Sequence, residues 1–211
     1  MDQSQLSLTI VNYDAGNLRN VQKAVEALGH AATPSSLAGD IESADALILP
    51  GVGSFHDGMA NLERLGLADG LRKAVLEQGK PILGICLGMQ LFAEEGSEGG
   101  HTRGLGLLPM TVEPLSSSQH GLRVPHIGWD DVSIQNNPLM FRGLPENPDF
   151  YFVHSYHAVC QDKAIVAATC DYGHTFTAAA EHEHIWATQF HPEKSQRYGM
   201  QVLRNFLDFV A

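Results

Sequence analysis

The first half of the chain alternates short apolar runs with helical patterns. Leu8–Tyr13 is a mostly apolar run with β-branched residues, which predicts a strand buried on both faces. After a turn at Asp14–Gly16, apolar residues at helical spacing predict a helix over Asn17–Leu28. The alternation continues, and strands that alternate with helices predict a parallel sheet with helices on both faces. The other predicted elements of this half are strands at Ala44–Leu49 and Ile82–Ile85 and helices at Asp57–Leu65, Leu67–Gln78 and Leu87–Glu95.

The second half is dominated by short β patterns, which Pro, Gly, Asn and Asp interrupt. A final helix is predicted over Ser195–Phe209, where apolar residues share one side. We therefore expect an α/β fold, formed by residues 1–211 as one domain, with a central, mostly parallel sheet flanked by helices and with antiparallel additions in this half. Its predicted strands are Leu105–Val112, Leu122–Ile127, Asp149–Val159, Ile165–Thr169, Thr175–Ala180 and Ile185–Phe190.

Charge and cysteine content narrow the possible functions. The chain has 13 Lys and Arg against 24 Asp and Glu, a formal charge of −11, and no basic stripe, which argues against a nucleic-acid partner. It shows no apolar run of transmembrane length and no signal-peptide pattern, so we expect no membrane association. Three cysteines without zinc-type spacing fit a reducing compartment, and a cytoplasmic location is expected.

A nucleophile pattern surrounds Cys86. The segment Gly84–Gly88 reads Gly-Ile-Cys-Leu-Gly and joins a predicted strand to a predicted helix. Such a turn is too tight for side chains two residues either side of the nucleophile. It would place Cys86 at a helix N-terminus, which stabilises a thiolate, and point the N–H of Leu87 at an oxyanion. A buried structural cysteine is the alternative for Cys86, and it is the favoured interpretation of Cys160 and Cys170.

A thiol nucleophile needs an imidazole and a group that orients it. His191 ends a predicted strand, and in extended backbone residues i and i+2 project to the same side, so the Glu193 carboxylate would reach its ring. Catalytic residues of parallel sheets gather at the carboxyl ends of strands, which would bring His191 to Cys86. Alternatively, the His-Pro-Glu segment caps a helix or lies on the surface. The His-x-His pattern at His182–His184 is a hairpin turn more readily than a metal site.

Two segments, Pro81–Gln90 and Ala187–Ser195, resemble motifs of the class I, triad-type glutamine amidotransferases. This resemblance implies that Cys86 attacks the side-chain amide of glutamine and that a glutamyl thioester forms before water releases glutamate. It further implies that His191 acts as base and acid and that Glu193 orients it.

The same resemblance implies contacts to the substrate. Gln90 resembles a glutamine-binding side chain, and the backbone of Ser155 and Tyr156 resembles the segment that holds the amino-acid end of glutamine. Gly53 is expected to contact the substrate as well. No cofactor and no metal is implied.

Glycines also mark the loop Pro50–Gly53. Two glycines flank Val52 and allow a backbone amide to take more than one orientation. We expect Val52 and Gly53 to supply the second oxyanion donor beside Leu87, and docking of a partner to stabilise the productive orientation. An ordinary strand-to-helix turn is the alternative.

Further segments resemble a narrower family, the glutaminase subunits of imidazole glycerol phosphate synthases. The resemblance implies a heterodimer in which this chain supplies ammonia to a cyclase, a (β/α)₈ barrel, that makes imidazole glycerol phosphate and an aminoimidazole carboxamide ribonucleotide in histidine biosynthesis. It assigns Asn12, Trp129 and Lys194 to the cyclase interface, although Trp129 fits a partly buried core position equally well. The segments are Asn12–Val21, Leu49–Met59, Pro125–Asp130, Phe152–His157 and Phe190–Ser195.

Other functions are compatible with these motifs. The chain could be the glutaminase subunit of another class I amidotransferase, or a cysteine peptidase or γ-glutamyl hydrolase on a similar sheet. A non-catalytic regulatory homologue is disfavoured, because nucleophile, base and orienting group are all competent residue types.

Overall fold

The computed structural model describes residues 6–16, 18–116 and 121–211, so Asn17, where the first helix is predicted to begin, lies outside the described residues. Their α-helices are α1 (Leu18–Ala27), α2 (Ala38–Ser43), α3 (Phe55–Arg64), α4 (Ala68–Arg72), α5 (Leu87–Leu91) and α6 (Gln196–Val210). A π-helix over Lys73–Glu77 continues α4, so the two together fill most of the predicted helix Leu67–Gln78. Their strands are β1 (Leu8–Val11), β2 (Ala32–Ser35), β3 (Ala46–Gly51), β4 (Ile82–Cys86), β5 (Glu95–Gly96), β6 (Thr102–Arg103), β7 (Met110–Pro114), β8 (His126–Asp131), β9 (Ser133–Ile134), β10 (Asp149–His154), β11 (Tyr156–Cys160), β12 (Val166–Asp171), β13 (Thr175–His182) and β14 (Ile185–Thr188).

An eight-stranded sheet forms the centre of the fold, in the order β2-β1-β3-β4-β14-β13-β12-β9. The first five strands are parallel, and β13, β12 and β9 extend the sheet by antiparallel pairing. The predicted fold class, a mostly parallel sheet with antiparallel additions, is thereby confirmed. The sequence pattern does not predict β2, which contains Pro34; the strand lies at the sheet edge, where proline is tolerated.

Buried apolar side chains cover both faces of this sheet. One layer lies against α3, α4 and α5, and the other lies against α1 and α6. Leu47 and Leu49 of β3 face the first layer, whereas Ala46 and Ile48 face the second. Burial on both faces explains why the central strands are continuous apolar runs in the sequence. Among the described residues, we find no helix with the length and apolar character needed to cross a membrane.

The helix predicted over Leu87–Glu95 is shorter than expected. It ends at Leu91, because backbone carbonyls that would otherwise face a further helical turn accept hydrogen bonds from a distant segment. Leu105 N–H donates to the Leu91 carbonyl at 2.8 Å, and Leu107 N–H donates to the Phe92 carbonyl at 2.8 Å. Because residues 105 and 107 make these contacts, the strand predicted at residues 105–112 begins only at residue 110.

The strand predicted over Asp149–Val159 is wrong as a single element. The strand is interrupted at Ser155. β10 pairs with β8, whereas β11 pairs with β7 in another sheet. A run of alternating residues has the same pattern whether or not its strands change partners, so sequence periodicity does not reveal this break. β8 likewise begins at His126, later than the predicted strand Leu122–Ile127. Ser155 therefore lies at the junction between these two small sheets.

Candidate active site

The backbone at Cys86 forms a strained turn between β4 and α5. Its φ is 55°, in the left-handed region that non-glycine residues rarely adopt. A Cβ on Gly84 would lie 2.6 Å from the ring of Phe92, and a Cβ on Gly88 would overlap the carbonyl oxygen of Leu49. Both positions therefore require glycine, as the sequence pattern predicts. Because α5 has only 5 residues, its dipole contributes less to a thiolate than the longer predicted helix would.

His191 follows β14, which runs parallel to and next to β4. Its Nδ1 lies 2.8 Å from Oε1 of Glu193, and both side chains are buried. Glu193 reaches the ring from a 3₁₀ turn over Pro192–Lys194 and not from extended backbone, so the predicted proximity has a different cause from the one expected. The backbone N–H of His191 donates to the Tyr151 carbonyl at 3.0 Å, which anchors the backbone of His191 to β10.

The surroundings of His191 favour its charged form. Burial lowers its pKa, but its interactions with Cys86 and Glu193 outweigh burial and raise the pKa to about 9. Nδ1 faces Glu193, so Nε2 is the ring nitrogen left for the thiol, and it is buried without a hydrogen-bond partner among the residues that the structure describes. The structure thus brings the three sequence-predicted residues together as thiol, imidazole and carboxylate.

Stability should fall as the pH rises from about 6.5 to about 9. The folded state holds the His191 proton more tightly than the unfolded state does, because its pKa rises from the ordinary imidazole value of 6.5 to about 9. This stabilisation is complete below pH 6.5 and is lost as the pH passes through 9. Urea unfolding of wild type and His191→Asn across this range measures it. The stability difference between the two proteins should shrink with pH, and a constant difference would contradict the assignment.

A cavity of about 280 Å³ opens beside Cys86. Residues from five separate parts of the chain meet there, and most were expected from the sequence. The sequence-predicted residues that line it are Val52, Gly53, Cys86, Leu87, Gln90, Ser155 and Tyr156, and the others are Glu98, Pro125, Val153 and His154. Glu98 is the one acidic side chain among these lining residues, and none of them is Lys or Arg. Such a cavity suits a small polar substrate with few charged groups.

Gln90 is already engaged by the protein. Its Nε2 donates to the Tyr156 carbonyl at 2.8 Å and to Oε1 of Gln189 at 3.0 Å. Because a carboxamide nitrogen carries two hydrogens, both donors of Gln90 are used and its oxygen is the atom left for a ligand.

Three neighbours of the nucleophile are not found by sequence reasoning. Gln189 donates from Nε2 to Sγ of Cys86 at 3.7 Å. In the sequence, its polar amide within a mostly apolar run next to His191 could have indicated this role. Glu98 accepts the Phe55 N–H at 2.8 Å, and no local pattern distinguishes it from other acidic residues. The third neighbour, His154, lines the cavity; burial lowers its pKa to about 3, so its ring is neutral.

The three residues expected at an interface lie as follows. Trp129 is in β8 and is 42% exposed, which disfavours a core role. Its ring lies 6.0 Å from that of Tyr151, and Nζ of Lys194 lies 5.8 Å from the centre of the same Tyr151 ring. Asn12 follows β1, where its N–H donates to the Ser35 carbonyl at 2.8 Å. Trp129 and Lys194 therefore share one surface through Tyr151.

The remaining candidate residues lie outside the cavity. Cys160 and Cys170 are buried, and burial raises both thiol pKa values, that of Cys170 to about 12. His182 and Ile185 are paired across a tight connection between β13 and β14, the hairpin that the sequence predicts at His182–His184. Within the described residues, no group of three metal-binding side chains comes together.

Solved structures share this fold. A protein described as a glutamine amidotransferase superposes with a TM-score of 0.73 at 22% identity, covering 96% of this chain and 98% of that one. PurLQS from Thermotoga maritima gives a TM-score of 0.72 at 22% identity, covering 98% of this chain and 100% of that one. At such low identities, these likenesses show the fold alone.

Residues 8–209 match the family described as glutamine amidotransferase class-I, which is the class that fold and site together define. Imidazole glycerol phosphate synthase subunit HisH 1 of Campylobacter jejuni (strain RM1221) is 46% identical over 95% of this chain and 98% of the relative. Subunit HisH of Moorella thermoacetica is 44% identical over 96% and 95%. The chain therefore belongs to the class I glutamine amidotransferases and, among them, to the HisH subunits of imidazole glycerol phosphate synthase, which confirms the predicted family and enzyme class.

Proposed function

We propose that Cys86, His191 and Glu193 hydrolyse the side-chain amide of glutamine through a thioester. The Cys86 proton passes to Nε2 of His191, the sulfur attacks the amide carbon, and the amide oxygen becomes an oxyanion. His191 returns the proton to the amide nitrogen, the C–N bond breaks and ammonia leaves. Water then attacks the thioester with His191 as base, the C–S bond breaks, and glutamate leaves as the sulfur regains a proton. The buried 2.8 Å contact between His191 and Glu193 beside this thiol carries the proposal.

The oxyanion is assigned to backbone donors on both sides of Cys86. Leu87 is the first residue of α5, directly after the nucleophile. Gly51 is paired with Cys86 across β3 and β4, so the loop that contains Val52 and Gly53 starts beside the thiol. Gly53 has a φ of 117° and open space around it, which lets the loop change its peptide orientations. Docking of the partner is proposed to stabilise the orientation that completes the oxyanion site.

Glutamine is proposed to lie in the cavity with its amide at Cys86. The Gln90 oxygen and the backbone of Ser155 and Tyr156 would bind its polar groups, as the family resemblance implies. Glu98 lines the same cavity and is its acidic residue, so it is the natural partner for the α-ammonium group.

The ammonia is proposed to pass to a cyclase subunit. The relatives are named subunits of imidazole glycerol phosphate synthase, and this chain would occupy the same position, as one amidotransferase domain paired with a (β/α)₈ cyclase in a heterodimer. The surface around Trp129, Tyr151 and Lys194 is the proposed interface, and Asn12 is assigned to it by resemblance. An aromatic anchor with an adjacent cation is typical of such contacts.

Glutamine-dependent synthesis tests this function. With the cyclase and its nucleotide substrate, the chain should release one glutamate for each imidazole glycerol phosphate formed, and glutaminase turnover should be much lower without them. Ammonium salts should bypass the chain but not the cyclase. Full turnover by the isolated chain would contradict activation by docking, and failure to complement a strain lacking its glutaminase subunit for histidine synthesis would favour another class I amidotransferase.

In the same assay, Trp129→Ala should require a higher cyclase concentration for the same rate of synthesis, because it removes the proposed aromatic anchor of the interface. An unchanged requirement would remove Trp129 from the interface.

A further inference from the structure

The carboxamide of Gln189 lies against the proposed nucleophile. Gln189 follows β14 and is fully buried, and its Nε2 lies 3.7 Å from Sγ of Cys86, within hydrogen-bonding range for sulfur. Its backbone N–H donates to the Ala178 carbonyl at 2.8 Å, so β13 holds the residue in place. A fully buried amide of this kind needs partners for both of its polar atoms.

A backbone carbonyl determines which atom of this amide faces the sulfur. The Tyr156 carbonyl can only accept, so the Gln90 atom 2.8 Å from it must be the NH₂ group. The same NH₂ group lies 3.0 Å from Gln189, so the Gln189 atom at that contact must be the oxygen. The NH₂ group of Gln189 is therefore the one that faces Cys86. A flipped amide would set two NH₂ groups against each other and an oxygen against the thiolate.

We propose that Gln189 is a further catalytic residue, whose side-chain N–H donates to the Cys86 sulfur and stabilises its thiolate form. This inference rests on the proposed function of Cys86 as nucleophile. In the thiol form, Sγ lies 3.8 Å from the Val153 carbonyl, which accepts the S–H group. Once the proton has moved to His191, that carbonyl repels the sulfur, and the N–H of Gln189 stabilises the new charge. A buried anion has lost its water, so a fixed donor replaces that solvation.

The thiol's reactivity tests this role directly, without substrate or partner. Iodoacetamide modification of the Cys86 peptide is followed by mass spectrometry across a pH series, since the thiolate is the form that reacts. Gln189→Met keeps a similar side-chain volume but lacks the N–H group. Modification at pH 7 should be about tenfold slower than in wild type, and its midpoint should move to higher pH, because a hydrogen bond to a charged group is lost.

Thr188→Val is the matched control. Thr188 is the preceding residue, is fully buried, and donates from its hydroxyl to the Phe190 carbonyl at 3.0 Å without contacting the sulfur. This variant loses a buried hydrogen bond from the same segment, yet it should keep the wild-type modification profile. A slowed Thr188→Val would mean that the effect at position 189 is general loosening, and it would overturn the proposal.

A folded Gln189→Met variant with the wild-type profile would also overturn it. If that variant does not fold, Gln189→Glu keeps an oxygen for Gln90 but, once ionised, sets a carboxylate against the thiolate. Its modification should be slowed more at pH 9 than at pH 6, and a wild-type profile would again refute the role. Failure of the underlying function gives a different result: wild type would continue to hydrolyse glutamine after complete modification of Cys86.

Discussion

Cys86→Ala should lower glutamine hydrolysis by at least about 10³-fold, both alone and with the cyclase, because no other group can form the thioester. The smaller side chain fits the same turn, so the fold should persist and ammonium-dependent synthesis by the complex should be normal. Glutamate release and a circular dichroism spectrum on the same sample measure both parts. Cys86→Ser should be almost as inactive, because a hydroxyl is far less nucleophilic than a thiolate at neutral pH.

Cys160→Ala is the control for the loss of a thiol. Cys160 is buried in β11, and burial raises the pKa of its thiol, so it is held in the unreactive form. Its removal should leave glutamine turnover within about twofold of wild type, since surface and core changes away from a site act mainly on stability. Wild-type turnover by Cys86→Ala would contradict the assigned nucleophile, whichever result the control gives.

Gly88→Ala should destabilise the protein by about 3 kcal/mol or more, the upper range for overpacking. The added Cβ would overlap the Leu49 carbonyl oxygen. That oxygen belongs to the backbone of β3, in the centre of the sheet, so it cannot move aside as a flexible side chain could. Urea unfolding measures the stability change. Glutaminase activity should be lost as well, because any relaxation displaces the turn that carries Cys86.

Gly70→Ala provides the comparison for this substitution. Gly70 lies in α4, and a Cβ there would meet nothing within 4 Å. The same chemical change should therefore leave stability unchanged or increase it by up to about 1 kcal/mol, since alanine favours a helix more than glycine does. Equal destabilisation by the two variants would show that close packing against β3 is not the reason for glycine at position 88.

Features of this fold that depend on neighbouring residues could be predicted from the sequence. The requirement for glycine at Gly84 and Gly88 follows from the steric demands of one turn. The contact between His191 and Glu193 involves residues two positions apart, so it was predicted correctly even though a 3₁₀ turn, not a strand, produces it. Continuous apolar runs such as β3 indicate a strand buried on both faces, which leads directly to the parallel sheet.

Features that depend on contacts between distant segments could not be predicted from the sequence. Two strands of the predicted run Asp149–Val159 pair in different sheets, which no periodicity within the run records. The end of α5 depends on N–H groups of Leu105 and Leu107, which no pattern near α5 reveals.

Residue order alone was sufficient for the mostly parallel central sheet and the nucleophilic turn, since both depend on steric and hydrophobic rules that act over a few neighbouring residues. The class of enzyme followed from the resemblance of its motifs to a known family. The charge of His191, the N–H of Gln189 against the sulfur and the position of Glu98 in the cavity required the folded chain. Electrostatic interactions depend on distance and on the exclusion of water, and both are set only when remote segments pack together.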